Sequence, residues 1–235
     1  MNDMQTDRIP ACRWTIIDVA AVFCGVLAAE AIIVILCISV IGSEKAALRL
    51  SRYLGGILLM LIPVYWVNKR YALRVEALGL RRTCLHVRWM PFAVLLSALV
   101  YCVTSRLILV GAESLHSNMN ISENFLAIVM LPFSIDGFPS IILSPIGEEI
   151  LYRGFVYGWL RTRFGILVGI ITQSLVFSFF HYDIIQHDWL YISVLHSLAG
   201  LILGLLFEIS GNLYVSIVGH SAMNYLGVIF GMNWK

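Results

Sequence analysis

A polytopic, all-α transmembrane bundle of about seven helices is the fold this sequence predicts, and three observations predict it. Only 13% of the 235 residues are charged, against roughly 25% in soluble domains. Hydrophobic residues make up 60% of the chain and the mean hydropathy is +0.86. The apolar residues gather in runs long enough to cross the ~30 Å hydrocarbon core of a bilayer as helices. The lipid bilayer is therefore the first partner implied. A net charge of +2, with no basic patch apart from the loops, speaks against nucleic acid.

The first hydrophobic span covers 14–42. It follows a polar N-terminus, is too long for a signal-peptide core and lacks a clean cleavage site, so it reads as a retained anchor. The second, 53–68, is short. The mixed apolar and basic segment YALRVEALGLRRTCLHVRW that follows suits a helix lying in the interface. The third span is 90–110. Within the looser stretch 111–138, ENFLAIVMLPF suits a surface or re-entrant helix; if it crosses, the count becomes eight. The remaining spans are 139–160, 164–181, 189–208 and 211–231. Glycines repeat at i, i+4 in these last four, at Gly154/Gly158, Gly165/Gly169, Gly200/Gly204 and Gly227/Gly231. Such pairs let helix backbones approach closely in lipid.

Orientation follows from the excess of Lys and Arg in cytoplasmic loops. A cytoplasmic N-terminus puts Arg8, Arg13, Lys69, Arg70, Arg74, Arg81, Arg82, Arg88, Arg161 and Arg163 inside, and Lys45, Arg49, Arg52 and Lys235 outside. The cysteines Cys12, Cys24, Cys37, Cys84 and Cys102 lack the spacing of a zinc-thiolate site or a disulfide framework and read as small packing residues.

Ionisable residues inside spans are costly and invite functional reading. The fourth span carries Glu148, Glu149 and Arg153, the fifth ends FSFFH at His181, and the seventh contains GHSAMNYLG with His220 and Asn224. Glu149 and Arg153 are one turn apart and can pair along the helix. Glu148 lies about 100° around the helix from Glu149 and is left for chemistry or a metal; an unpaired carboxylate in an apolar site suits proton acceptance. His220 and Asn224 share a face. The alternative is that both acids merely satisfy Arg153. Elsewhere, Glu30 reads as a cavity residue or a partner of Arg106. His196 reads equally as packing or as a site contributor. Asp18 and Glu208 stand near span ends, within reach of water, and Asp183, His187 and Asp188 fall in a short loop.

GEEILYRG, FSFFH and HSAMN stand in the order EExxxR, FxxxH, HxxxN on three separate spans. This resembles the CPBP family of intramembrane proteases, the CAAX protease and bacteriocin-processing group that includes type II CAAX prenyl endopeptidases. The resemblance covers roughly 139–231, so the chain divides into N-terminal membrane helices with an interfacial segment, 1–138, and a catalytic helical bundle, 139–235. It implies an endopeptidase in which Glu148, assisted by His181, activates water. His220 and Asn224 would stabilise the oxyanion, and Glu149 and Arg153 would support the helix. The cofactor is either none or one divalent metal, zinc by ligand type, held by Glu148, His181 and His220. No carboxylate is spaced in sequence to orient a ligand histidine, which favours the metal-free route. The implied substrate is a protein or peptide at the membrane, lipidated or membrane-anchored. The implied location is a bacterial-type plasma membrane, with the site opening on the extracytoplasmic side. Two other readings compete. A non-catalytic immunity factor or scaffold would not need every polar group intact, and a proton-coupled transporter would show an inverted repeat, which this sequence lacks.

Overall fold

The computed structural model describes residues 12–41, 43–81, 89–111, 130–181 and 189–229. Regular structure among them is helical, as expected of a chain whose backbone polar groups must be satisfied within each segment in lipid. Helix α1 is Ile16–Ile41, α2 is Glu44–Tyr71 and α3 is Met90–Gly111. A 42-residue helical run, Pro139–Phe180, then folds back at Gly165, whose φ of 81° and ψ of 177° are not helical. Only glycine adopts that conformation cheaply. The arm before the fold is α4 and the arm after it α5; α6 is Trp189–Ser210 and α7 is Leu213–Ile229. Of these runs, α1, α2, the folded α4–α5 run and Ser193–Ser210 of α6 are long and apolar enough to cross a membrane, and α3 and α7 contribute shorter apolar stretches. The protein is an integral membrane helix bundle.

Successive arms run antiparallel, so their ends gather in two layers. In one layer the Cys12 backbone donates to Thr162, Arg70 meets Asp18, Arg161 meets Glu208, and Asn212 donates to the Arg81 carbonyl. In the other, Arg49 grips Asp136 through two bonds of 2.6 and 3.0 Å, and Tyr53 donates to the Ile135 carbonyl. Asn224 donates to the Ser140 carbonyl at 2.9 Å.

Two differences from the sequence reading have simple causes. Helix α2 begins nine residues before the expected apolar span, because Glu44–Arg52 continues the helix with polar residues that hydropathy does not register. In the segment expected as an interfacial helix, the described part is a 3-10 turn, Val75–Leu78, ended by Gly79 at φ 88°. Leu78 is buried against the bundle at Gly154. The sequence expectation for 111–138 falls mostly on 112–129, outside the described residues; Leu131–Phe133 is a short 3-10 turn.

The glycines divide by task. Gly200 faces α5 so closely that a Cβ there would stand 2.8 Å from the Ser174 Cα. Gly165 is a fold and not a packing face, and Gly231 lies outside the described residues. Another close helix approach involves a pair that no GxxxG pattern marks. A Cβ on Gly147 of α4 would stand 2.6 Å from the Gly56 carbonyl oxygen of α2.

Candidate active site

Helix α4 carries the two acids, and its backbone is irregular where it does so. Pro145 has no N–H, so the carbonyl one turn before it loses its ordinary donor. The preceding Pro139–Leu143 adopts the wider π-helix, with the Ser144 N–H donating to the Pro139 carbonyl. A second π-helical stretch, Ile150–Tyr157, follows Glu149. Single π turns inside helices cluster at functional sites.

The fold at Gly165 does the decisive positioning. Along a straight helix, Glu148 and His181 would stand ~50 Å apart at 1.5 Å per residue. Folded back, α5 returns His181 Nε2 to 3.5 Å from Glu148 Oε2, with Tyr152 and Phe177 rings packed edge-to-face at 5.1 Å one turn deeper. Helix α7 delivers His220 Nε2 to 3.7 Å from the same Glu148 oxygen. Glu148 and the two histidines, taken from three sequence-distant segments, thus converge.

Each imidazole is oriented from its far side. His181 Nδ1 lies 2.8 Å from the Phe177 carbonyl, and a carbonyl oxygen only accepts, so Nδ1 carries the proton there. His220 Nδ1 lies 2.9 Å from Glu149 Oε1, again an acceptor. The same Glu149 oxygen accepts from Arg153 at 2.7 Å. Glu149 and Arg153 are fully buried and His220 is 5% exposed. The Glu149–Arg153 pair expected from the sequence is therefore present, and its carboxylate also holds His220. That corrects one expectation: a carboxylate does stand behind a site histidine, brought there by the fold from another helix.

Glu148 is not unpaired, as its helix position alone suggests, but faces two imidazoles. Its Oε2 nevertheless has no hydrogen-bond partner, and neither do Glu149 Oε2, Arg153 Nε and Gln173 Oε1. Contacts of 3.5 and 3.7 Å are too long for good direct hydrogen bonds. The Glu148 side chain is 14% exposed and His181 27%, so the cluster opens toward one end of the bundle. Around it, the Arg153 guanidinium lies 4.5 Å over the Phe177 ring, and His196 of α6 stacks on His181 at 4.5 Å.

Asn224 sits on the expected face of α7, yet its recorded bond is to the Ser140 carbonyl at the head of α4. It ties α7 to the head of α4, two of the three helices that form the site. Asp18 differs from its reading as a water-reaching group. It is fully buried and accepts from Thr15, Trp66 and Tyr71 while pairing with Arg70. Glu208 is held by Arg161 and Tyr157. Glu30 lies beside Gly55 of α2; the Arg106 side chain and Asp183, His187 and Asp188 lie outside the described residues.

Among the described residues, no group of three or more His, Cys, Asp or Glu side chains is arranged to hold a metal ion. Both imidazole Nε2 atoms address one oxygen, Glu148 Oε2.

The protein is thus a membrane helix bundle that carries a buried Glu–His–His cluster. Residues 130–226 match the family described as Type II CAAX prenyl endopeptidase Rce1-like, a protease family. The resemblance read from the three motifs holds over this stretch, which contains every motif residue from Glu148 to Asn224. Comparison with curated proteins and with solved structures finds no significant match.

Proposed function

We propose that the protein is an intramembrane endopeptidase that hydrolyses a peptide bond of a membrane-associated protein or peptide, using a water activated by Glu148 and His181. The observation that carries this reading is the buried, unpartnered Glu148 Oε2 facing both imidazole Nε2 atoms. A neutral His181 with its proton on Nδ1 offers a lone pair at Nε2, and the carboxylate offers another. A water that donates to this pair keeps its own lone pairs free to attack.

His220 has a distinct role: Glu149 holds its ring at Nδ1, and Nε2 faces the gap at Glu148, where with both ring nitrogens carrying hydrogen it would donate to an oxyanion. Attack forms the C–O bond as the water proton passes to Glu148. The carbonyl electrons move onto oxygen, which His220 stabilises, with the second Asn224 N–H as a further donor. On collapse the C–N bond breaks and Glu148 returns the proton to the leaving amine. General-base and oxyanion contributions of this kind are each worth roughly a hundredfold or more.

The substrate class lies among prenylated C-termini, bacteriocin leaders and membrane-anchored tails. We place the protein in a plasma membrane with the N-terminus cytoplasmic. The site then opens at the layer of Arg49 and Asp136, on the extracytoplasmic side. The catalytic assembly we assign to 139–235, with 1–138 as its membrane support. The test compares membrane peptides in cells carrying wild-type protein and Glu148→Ala. Fragments that depend on Glu148 identify both activity and substrate, and identical peptide sets would remove the hydrolytic reading.

A further inference from the structure

We infer that His196 is a positioning residue for the proposed hydrolysis, holding the His181 ring so that its Nε2 addresses Glu148. This inference rests on the hydrolytic reading above and adds to it a residue outside the three motifs.

His181 is the C-cap of α5, with φ −97° and ψ 4°, and has left the regular helix. Its ring needs support from outside its own turn. His196 stacks on it, centroids 4.5 Å apart and planes within 22°, and Phe177 leans against it at a tilt, centroids 4.3 Å apart. The Nδ1 bond to the Phe177 carbonyl pins one edge. The stack and this bond together resist rotation of the ring about its side-chain torsions, and Nε2 is left toward Glu148. Aromatic pairs in this distance range contribute about 0.5–1.5 kcal/mol beyond their burial.

The placement of His196 follows from the register of α6 on α5. Ser178 donates to the Ser193 carbonyl at 2.7 Å, and Gly200 seats against Ser174. Gln173 donates to the Gly200 carbonyl at 2.9 Å, and Gly204 meets the Gln173 side chain. Ser193, His196, Gly200 and Gly204 therefore form one face at helical spacing, pressed along α5. On that face three residues are small, and the one large ring falls level with His181. Phe177 also meets His196, at 6.1 Å, so the three rings form one packed group.

The test uses His196→Leu and His196→Phe in the full-length protein purified in detergent, with Glu148→Gln in parallel. The chain has six histidines, so isotope-labelled histidine gives a ring spectrum assignable by single substitutions. His196→Leu should shift and broaden the His181 ring signals. It should also lower kcat for a quenched-fluorescence prenylated CAAX-type peptide about tenfold, with KM within about twofold. His196→Phe keeps a flat ring without a titrating proton; it should restore the His181 signals and most of kcat. An unmoved His181 signal in folded His196→Leu, or equal impairment by Leu and Phe, would overturn the positioning role. Cleavage by Glu148→Gln would instead defeat the hydrolytic reading itself, leaving the ring spectrum as the readout for His196.

Discussion

At the scale of single residues, the two adjacent acids are separated by what surrounds them. Glu149 is enclosed, with Arg153 and His220 on one oxygen, whereas Glu148 faces a partly open gap. Removing one partner of a buried pair typically costs about 3–5 kcal/mol. Glu149→Gln is therefore expected to lower yield and thermal stability by that order, read as a fall in the detergent melting temperature. Glu148→Gln keeps the volume and is expected to leave stability near wild type. Reversal of the two effects would exchange the roles of the acids. Metal dependence is decided by metal analysis joined to activity after chelation. Cleavage is expected to persist; stoichiometric zinc whose removal stops cleavage and whose return restores it would overturn the metal-free arrangement.

At the scale of elements, close approach of α2, α4, α5 and α6 sets the geometry. Gly147→Ala would drive a methyl group against the Gly56 carbonyl, with no flexible side chain to yield. Overpacking of this kind costs about 1–3 kcal/mol, measurable as a lower melting temperature, and it should displace Glu148 as well. Wild-type stability for Gly147→Ala would show that α2 and α4 can separate without loss. This contact was not legible in the sequence, because Gly56 and Gly147 stand on helices far apart in the chain and form no local pattern. The Glu149–Arg153 pair was legible, because i, i+4 neighbours meet on any helix. The Glu149–His220 bond was not, since it depends on how α7 docks on α4. The helices themselves were readable wherever hydrophobicity drives them. The fold of α4 onto α5 was readable only as a break in hydropathy near Arg161 and Arg163, because the spacing of Gly165 and Gly169 reads as a packing face and not as a backbone device. His196 could be singled out as an intramembrane histidine, but its stacking on His181 required the register of α6.

At the scale of the whole molecule, the antiparallel arms put the Arg161 and Arg163 turn in one layer and the Arg49–Asp136 clamp in the other. The Arg49 guanidinium holds the Asp136 carboxyl below the usual aspartate range. The clamp therefore persists at neutral pH and loosens only as the pH falls through that lowered value. Phe133 is exposed in the clamp layer and Phe164 in the opposite one. In a cysteine-free background, Phe133→Cys is expected to react with an impermeant maleimide from outside intact cells, and Phe164→Cys only after permeabilisation. The opposite pattern would invert the orientation. The central claim is that this bundle hydrolyses peptide bonds through Glu148. The most direct measurement takes wild-type and Glu148→Gln proteins of equal melting temperature and counts new peptide termini in the same membranes. New termini are expected with wild type and should fall at least about a hundredfold with Glu148→Gln; equal termini from the two folded proteins would contradict hydrolysis through Glu148.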